Sequence, residues 1–412
     1  TAGAEQDDRV ENLGQVQLAE SNSYIINPLA GPVQATYGVP VFRVNKFWSS
    51  VDGTNSNAIT PDTEWESEVI WQDKAGEGLI DFCESSGTVI PAGKYAGKGE
   101  NNFYFSPKDQ NAAGNVLIGV KKKGTTEYLW SWHLWLTNYN PDAVASSWQE
   151  DVYSYAVPGG AVHRYFGGAW ATAAYIDKFI MDRNLGASGA VRADGIAKTR
   201  GLYYQFGRKE PFPAASVSLY DVSGTTVTAF AATSGDCIVR VEGRTALKTA
   251  VQRPYNFYYP GSGDWVQSNP YPGNSWNNPG WYTSEPKAGK SLFDPCPPGW
   301  RLPVDGTWST FALAGNVPNA ANYPNDYKSG KDQAGWEFYM SGSSGETAFY
   351  PASGQRRIDL GSMYVELSYG YNWSSTPYSS MYGHSMNFNA TNNSPRYTAN
   401  RGFGASVRCI QE

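Results

Sequence analysis

The sequence predicts a β-rich chain of two domains, an N-terminal antiparallel β-sandwich over residues 1–145 and an α+β domain over residues 146–412. Three observations predict it. A chain of 412 residues exceeds what one hydrophobic core ordinarily serves. A composition with 44 Gly, 28 Tyr and 15 Trp but only 17% charged residues favours strands and loops, and helical periodicity is scarce. Short alternating apolar runs also succeed one another as far as residue 137, and beyond a turn cluster at 138–142 (NYNPD) the loops lengthen.

Taken in order, residues 1–20 are polar and acidic and read as a loose terminus or a first edge strand. Tyr24-Ile25-Ile26 is a strand leading into a Pro/Gly turn at 28–32, and the apolar run of residues 39–44 follows. Trp65, Ser67, Val69 and Trp71 alternate with Glu66, Glu68 and Ile70, the pattern of a half-buried antiparallel strand. Runs at 79–83, 88–90, 102–105 and 116–120 continue at short spacing, as in a sandwich. In EYLWSWHLWLTNY, Tyr128, Trp130, Trp132, Leu134 and Leu136 share one face, while Leu129, His133 and Trp135 share the other. That strand is predicted to be central and covered on both sides, with His133 a hydrogen-bonded core residue. Residues 143–175 are a less regular connector. The stretch 261–282 is a long insertion bearing Trp265, Trp276 and Trp281, and long loops in compact domains usually carry function or mobility. One helix is predicted after Pro303, with Asp305 or Thr307 as N-cap and Trp308, Phe311 and Ala312 on its apolar face.

The last stretch, 371–410, interleaves two kinds of sequence. Trp373, Met386, Phe388, Val407 and Cys409 sit at strand spacing, as a buried frame. Between them Tyr378, Ser380, Met381, Tyr382, His384, Thr391, Asn392, Arg396, Tyr397 and Asn400 follow no periodicity that would build a core. A rigid frame displaying aromatic and small polar side chains suits a binding surface. The same composition also suits a plain polar loop.

A net charge of −6 argues against nucleic acid, and Lys121, Lys122 and Lys123 before Gly124 read as a solvated strand end. No apolar run reaches the length of a membrane helix. No signal peptide is visible and Thr1 is not a start methionine, which reads as a processed or trimmed chain. Cys83, Cys237, Cys296 and Cys409 form no CxxC and only three His are present, so a zinc site is not expected and no metal or cofactor is implied. The cysteines suit an extracellular chain with one bridge, leaving Cys83 and Cys237 as buried thiols. No HExxH, GxSxG or P-loop occurs, nor a Cys–His pair with suitable neighbours, and the Glu66/Glu68 carboxylates lie on the outer face of a strand. The chain is therefore not expected to be an enzyme.

Five stretches of the second half carry a family likeness: FIMDRNLGA (179–187), GLYYQFGRKEPFP (201–213), DPCPPGWRLP (294–303), NWSSTPYSS (372–380) and RGFGASVRC (401–409). Together they resemble the Fibrobacter succinogenes major paralogous domain, a C-type-lectin-like module of Bacteroidetes surface proteins, over about residues 176–412. More loosely, SYIINP and VLIGVKKKGTTEYLWSWHLWLT are similar to the β-sandwich of fimbrillin-type pilins. The resemblance implies a pilus-tip adhesin at the cell surface. Its partners would be a host or bacterial surface protein or glycan, and a stalk subunit that donates a strand to the N-terminal sandwich. The chain ends at Glu412 directly after the last strand, with no segment to donate in turn, which suits a terminal position.

Within these motifs the prolines and Gly299 of DPCPPGWRLP fix a turn, and Trp300 and Leu302 are buried where the helix begins. Phe403, Ala405, Val407 and Cys409 share a face. A Cys296–Cys409 bridge would tie that strand to the turn, worth about 4–5 kcal/mol at most on the chain-entropy account. Arg183, Arg208, Lys209 and Glu210 read as loop-pinning ion pairs. Calcium-dependent lectins of this fold use carboxylates where this chain has WSST at 373–376, which puts calcium-dependent sugar binding in doubt. The region 378–403 also resembles the variable region of lectin-like proteins diversified by retroelements. That likeness implies fixed positions at Trp373, Met386, Phe388, Gly402 and Val407, and ligand-binding positions at Tyr378, Ser380, Met381, Tyr382, His384, Asn389, Thr391, Asn392, Arg396, Tyr397, Thr398, Asn400 and Phe403. Two alternatives stay open: an enzyme on the formylglycine-generating type of this fold, and a structural pilus subunit without a ligand.

Overall fold

The structure is a computed structural model that describes residues 8–10, 15–29, 35–142, 152–154, 179–214, 217–227, 237–267, 290–304, 307–308, 334–339, 347–390 and 393–412. The described residues are β-rich, with several sheets and only short helical turns. The first half contributes two five-stranded sheets. One runs Asp8–Val10, Gln15–Gln17, Thr36–Val39, Phe103–Pro107, Ile80–Cys83; the other runs Ser23–Ile26, Tyr128–Leu136, Gly114–Lys122, Glu64–Gln72, Lys94–Lys98. Phe103 of the first meets Trp132 of the second edge-on, ring centroids 5.4 Å apart, so the sheets face each other as a sandwich.

The sandwich is not wholly antiparallel, which corrects the sequence expectation. Gln15–Gln17 pairs in parallel with Thr36–Val39, and Ser23–Ile26 in parallel with Tyr128–Leu136. The chain leaves Gln15–Gln17 for Ser23–Ile26 in the other sheet, then comes back at Thr36.

Tyr128–Leu136 is buried at all nine positions, because it has partners on both sides and cover on both faces. A helical turn, Arg43–Asn45, and a π-helical turn, Lys46–Val51, bring two aromatics onto this strand. Phe47 lies 5.7 Å from Trp130, and Trp48 Nε1 donates to the Leu129 carbonyl at 2.9 Å. His133 is 1% exposed between Ser23 Oγ and Asn115 Oδ1, and burial pulls its imidazole down to about 3, so it is neutral at physiological pH.

In the second half the largest sheet runs Met363–Tyr364, Gln355–Arg356, Gly404–Ser406, Tyr369–Pro377, Tyr382–Asn389, Asn393–Asn400, with Tyr203–Gln205 also paired to Gly404–Ser406. Different clusters cover its two faces. Trp373 packs with Phe206 in the main core, which runs on into the sandwich; Met386 and Phe388 pack in a second cluster with Trp336, Phe338 and Tyr350. A smaller sheet orders Val152–Ser154, Phe179–Met181, Ile410–Gln411 and Trp300–Arg301. Cys296 and Cys409 are joined by a buried disulfide (S–S 2.07 Å), while Cys83 and Cys237 are buried thiols. The helix expected after Pro303 falls largely outside the described residues. Among those residues no helix is long and apolar enough to cross a membrane.

Candidate functional site

The strands Tyr369–Pro377 and Tyr382–Asn389 form a hairpin whose turn carries the first of the expected binding residues. The backbone closes that turn: the amides of Tyr378 and Ser379 both donate to the Tyr382 carbonyl, at 2.9 and 3.0 Å. Tyr378 is 62% exposed and Ser380 is exposed, with Met381 and Tyr382 half-buried beside them. Asn400 pairs directly across from Tyr382, so the two side chains share a face.

The turn is held from behind by a residue that sequence reasoning did not single out. Arg401 is fully buried; its Nε donates to the Tyr382 carbonyl at 3.2 Å, and its backbone amide donates to the Met381 carbonyl at 3.0 Å. Its Nη1 reaches Asp264 Oδ2 at 3.3 Å, and its guanidinium lies 5.0 Å from the Phe206 ring centre. Burial pushes the Asp264 carboxyl up to about 6, against the pull of Arg401. The Gly263 amide donates to Asn400 Oδ1 at 3.0 Å, and Met381 lies so close over Gly263 that a Cβ there would sit 3.0 Å from the methionine methyl. The signal for Arg401 was in RGFGASVRC, where an arginine opens a run of small and apolar residues that lasts as far as Val407.

The expected set does not form one surface. Tyr378, Ser380, Met381, Tyr382 and Asn400 come together at the turn. His384, expected on display, is buried at 4% exposure with its ring 5.3 Å from that of Tyr378. The physical reason is register: His384 is on the same side of its strand as Met386 and Phe388, and that side is covered. Thr398 pairs opposite His384 and is half-buried. Tyr397 pairs with Ser385 and therefore lies on the other side of the sheet, edge-on to Tyr371. Asn389 sits at the far end of the hairpin, opposite Tyr369. Arg396 is half-buried at the irregular stretch between Ser394 and Tyr397, and Phe403 packs on the main core. Thr391 and Asn392 lie outside the described residues.

Trp265, expected to help from the insertion, is fully buried: its Nε1 donates to the Phe206 carbonyl at 2.8 Å. Trp276 and Trp281 lie outside the described residues. Ser374, Ser375 and Thr376 of WSST are buried within the hairpin strand. Among the described residues no group of three or more His, Cys, Asp or Glu is placed to hold a metal ion. Arg208 and Lys209 both pair with Glu210, at 3.0 and 2.6 Å, and Arg183 pairs with its neighbour Asp182. Comparison with protein families, curated proteins and solved structures returns no match.

Proposed function

We propose that this protein is a cell-surface adhesin that binds an external protein or glycan through the turn at residues 378–382. On this reading residues 176–412 are a C-type-lectin-like domain, the region around the turn tolerates diversification, and the N-terminal sandwich accepts a strand from a pilus stalk subunit. The observation that carries the reading is the contrast at the turn. Tyr378 and Ser380 stand in solvent, while the backbone beneath them is clamped by Arg401 and seated on Gly263. Tyrosine offers large contact area at small entropic cost, and a preset backbone lowers that cost further.

The test compares wild type with a Tyr378→Ala/Tyr382→Ala variant on glycan and cell-surface protein arrays. Ligands of the wild type should lose tenfold or more in affinity, the size expected when central aromatic contacts are truncated, with the melting temperature unchanged. Equal binding by the two proteins would remove the turn as the site.

A further inference from the structure

We propose that the cleft between the two halves binds a small primary alkylammonium, with Asp73 as the anion that receives it. The cleft encloses about 520 Å³, a size usual for ligand sites, which gather where domains meet. The sandwich supplies Asp73, just past Glu64–Gln72, together with Asn115 and Trp135; the second half supplies Ala197, Leu202 and Ala214. The site shares no residue with the turn at 378–382 and does not rest on the adhesin reading.

A chain of polar groups fixes this carboxylate. Asn115 Nδ2 donates to Asp73 Oδ2 at 2.7 Å and to the Gly186 carbonyl of the other half at 3.1 Å, and the Asn115 backbone amide donates to Asp73 Oδ1 at 2.7 Å. Both side-chain protons of Asn115 are thereby committed, so its Oδ1 accepts from His133 Nε2 at 3.0 Å. His133, which is neutral, then accepts at Nδ1 from Ser23 Oγ at 3.4 Å. A carboxylate offers about four acceptor positions. The two bonds from Asn115 and one from the Asp73 amide fill three of them, which leaves one for a ligand.

The charge selects the occupant. Among the described residues no cation pairs with Asp73: burial raises its carboxyl, and the bonds from Asn115 lower it, with no cation taking part. Lys198, which is exposed, and Arg200, which is paired with Glu366, also line the cleft without acting on Asp73. A carboxylate drawn out of water among neutral partners gains most from a donor that carries positive charge, and it repels an anion. A single open acceptor position suits the point charge of an ammonium better than the two-pronged guanidinium. Trp135, Leu136, Leu202 and Ala214, all buried, make an apolar wall that suits an alkyl chain.

Cadaverine and Nα-acetyl-lysine N-methylamide are titrated calorimetrically into the whole protein, beside their neutral counterparts pentanol and Nα-acetyl-norleucine N-methylamide. At least one ammonium probe should bind, and its neutral counterpart should bind about tenfold more weakly or not at all, the size of one charge-assisted hydrogen bond. Binding of cadaverine alone would mark a free amine as the occupant, and binding of the lysine derivative alone a lysine side chain; either result upholds the site. Asp73→Asn should weaken binding about tenfold or more. Ala197→Trp, at an exposed position lining the cleft, obstructs it without touching the polar chain and should abolish binding at an unchanged melting temperature, which keeps the test decisive if Asp73→Asn does not fold. Tyr378→Ala/Tyr382→Ala should bind as the wild type does. Binding of neither ammonium probe, equal binding of the neutral counterpart, full binding by Asp73→Asn or Ala197→Trp, or loss in the Tyr378/Tyr382 variant would overturn the assignment.

Discussion

Glu210 shows how a single side chain holds this fold. It is 2% exposed, receives Arg208 at 3.0 Å and Lys209 at 2.6 Å, and accepts from Ser131 Oγ at 3.3 Å. Burial alone would push its carboxyl up; the two cations hold it below the usual carboxylate range. Lys209 pays in the opposite sense, drawn down to about 8 by burial although Glu210 resists, and its ammonium also faces the Trp130 ring at 4.2 Å. Removing one member of a buried ion pair leaves an uncompensated charge, typically at a cost of about 3–5 kcal/mol. Glu210→Gln is therefore expected to lose about that much stability at pH 7, measured by urea unfolding. A loss under about 1 kcal/mol would mean that the carbonyls around Arg208 and Lys209 already suffice.

At the scale of elements, the buried disulfide joins the turn at Cys296 to Cys409, just before Ile410–Gln411, the strand that pairs with both Phe179–Met181 and Trp300–Arg301. It spans a sequence separation of 113 residues, so Cys296→Ser/Cys409→Ser should cost up to about 4–5 kcal/mol, seen as a lower urea midpoint. An unchanged midpoint would show that sheet pairing alone secures the end of the chain. How legible such elements are in a sequence depends on what covers them. Tyr128–Leu136 was legible because both of its faces are apolar or aromatic at every position but Ser131. Glu64–Gln72 follows the expected alternation as far as Val69, then is buried throughout where its register shifts and Gln72 bonds to Tyr220. The frame residues Trp373, Met386 and Phe388 were legible from spacing, but nothing local reveals that both sides of that sheet are covered. His384 and Tyr397 were consequently read as neighbours although the register sets them on opposite sides. The parallel pairings depend on where the chain returns, which no local pattern records.

At the scale of the molecule, the two halves meet through buried polar groups as well as apolar ones. Asn22 Nδ2 donates to the carbonyls of Leu292 and Asp294 at 2.7 and 2.8 Å, and Arg43 donates to Asn22 Oδ1 and the Leu292 carbonyl, both at 3.0 Å. Lys209 Nζ donates to Ser131, Asn115 Nδ2 to the Gly186 carbonyl at 3.1 Å, and Gln72 and Tyr220 exchange backbone hydrogen bonds at 2.9 Å. Around them Phe47, Trp130 and Phe293 close a shared aromatic cluster, with centroids 5.7 to 5.8 Å apart. Domains joined by a wet, polar contact usually melt separately. Here separation would expose those rings and unmake each buried hydrogen bond, so neither half can open without loss to the other. Scanning calorimetry is therefore expected to show one transition with calorimetric and van't Hoff enthalpies equal, despite the chain's length. Two resolved transitions, or a van't Hoff enthalpy near half the calorimetric value, would mean that the halves fold as separate units.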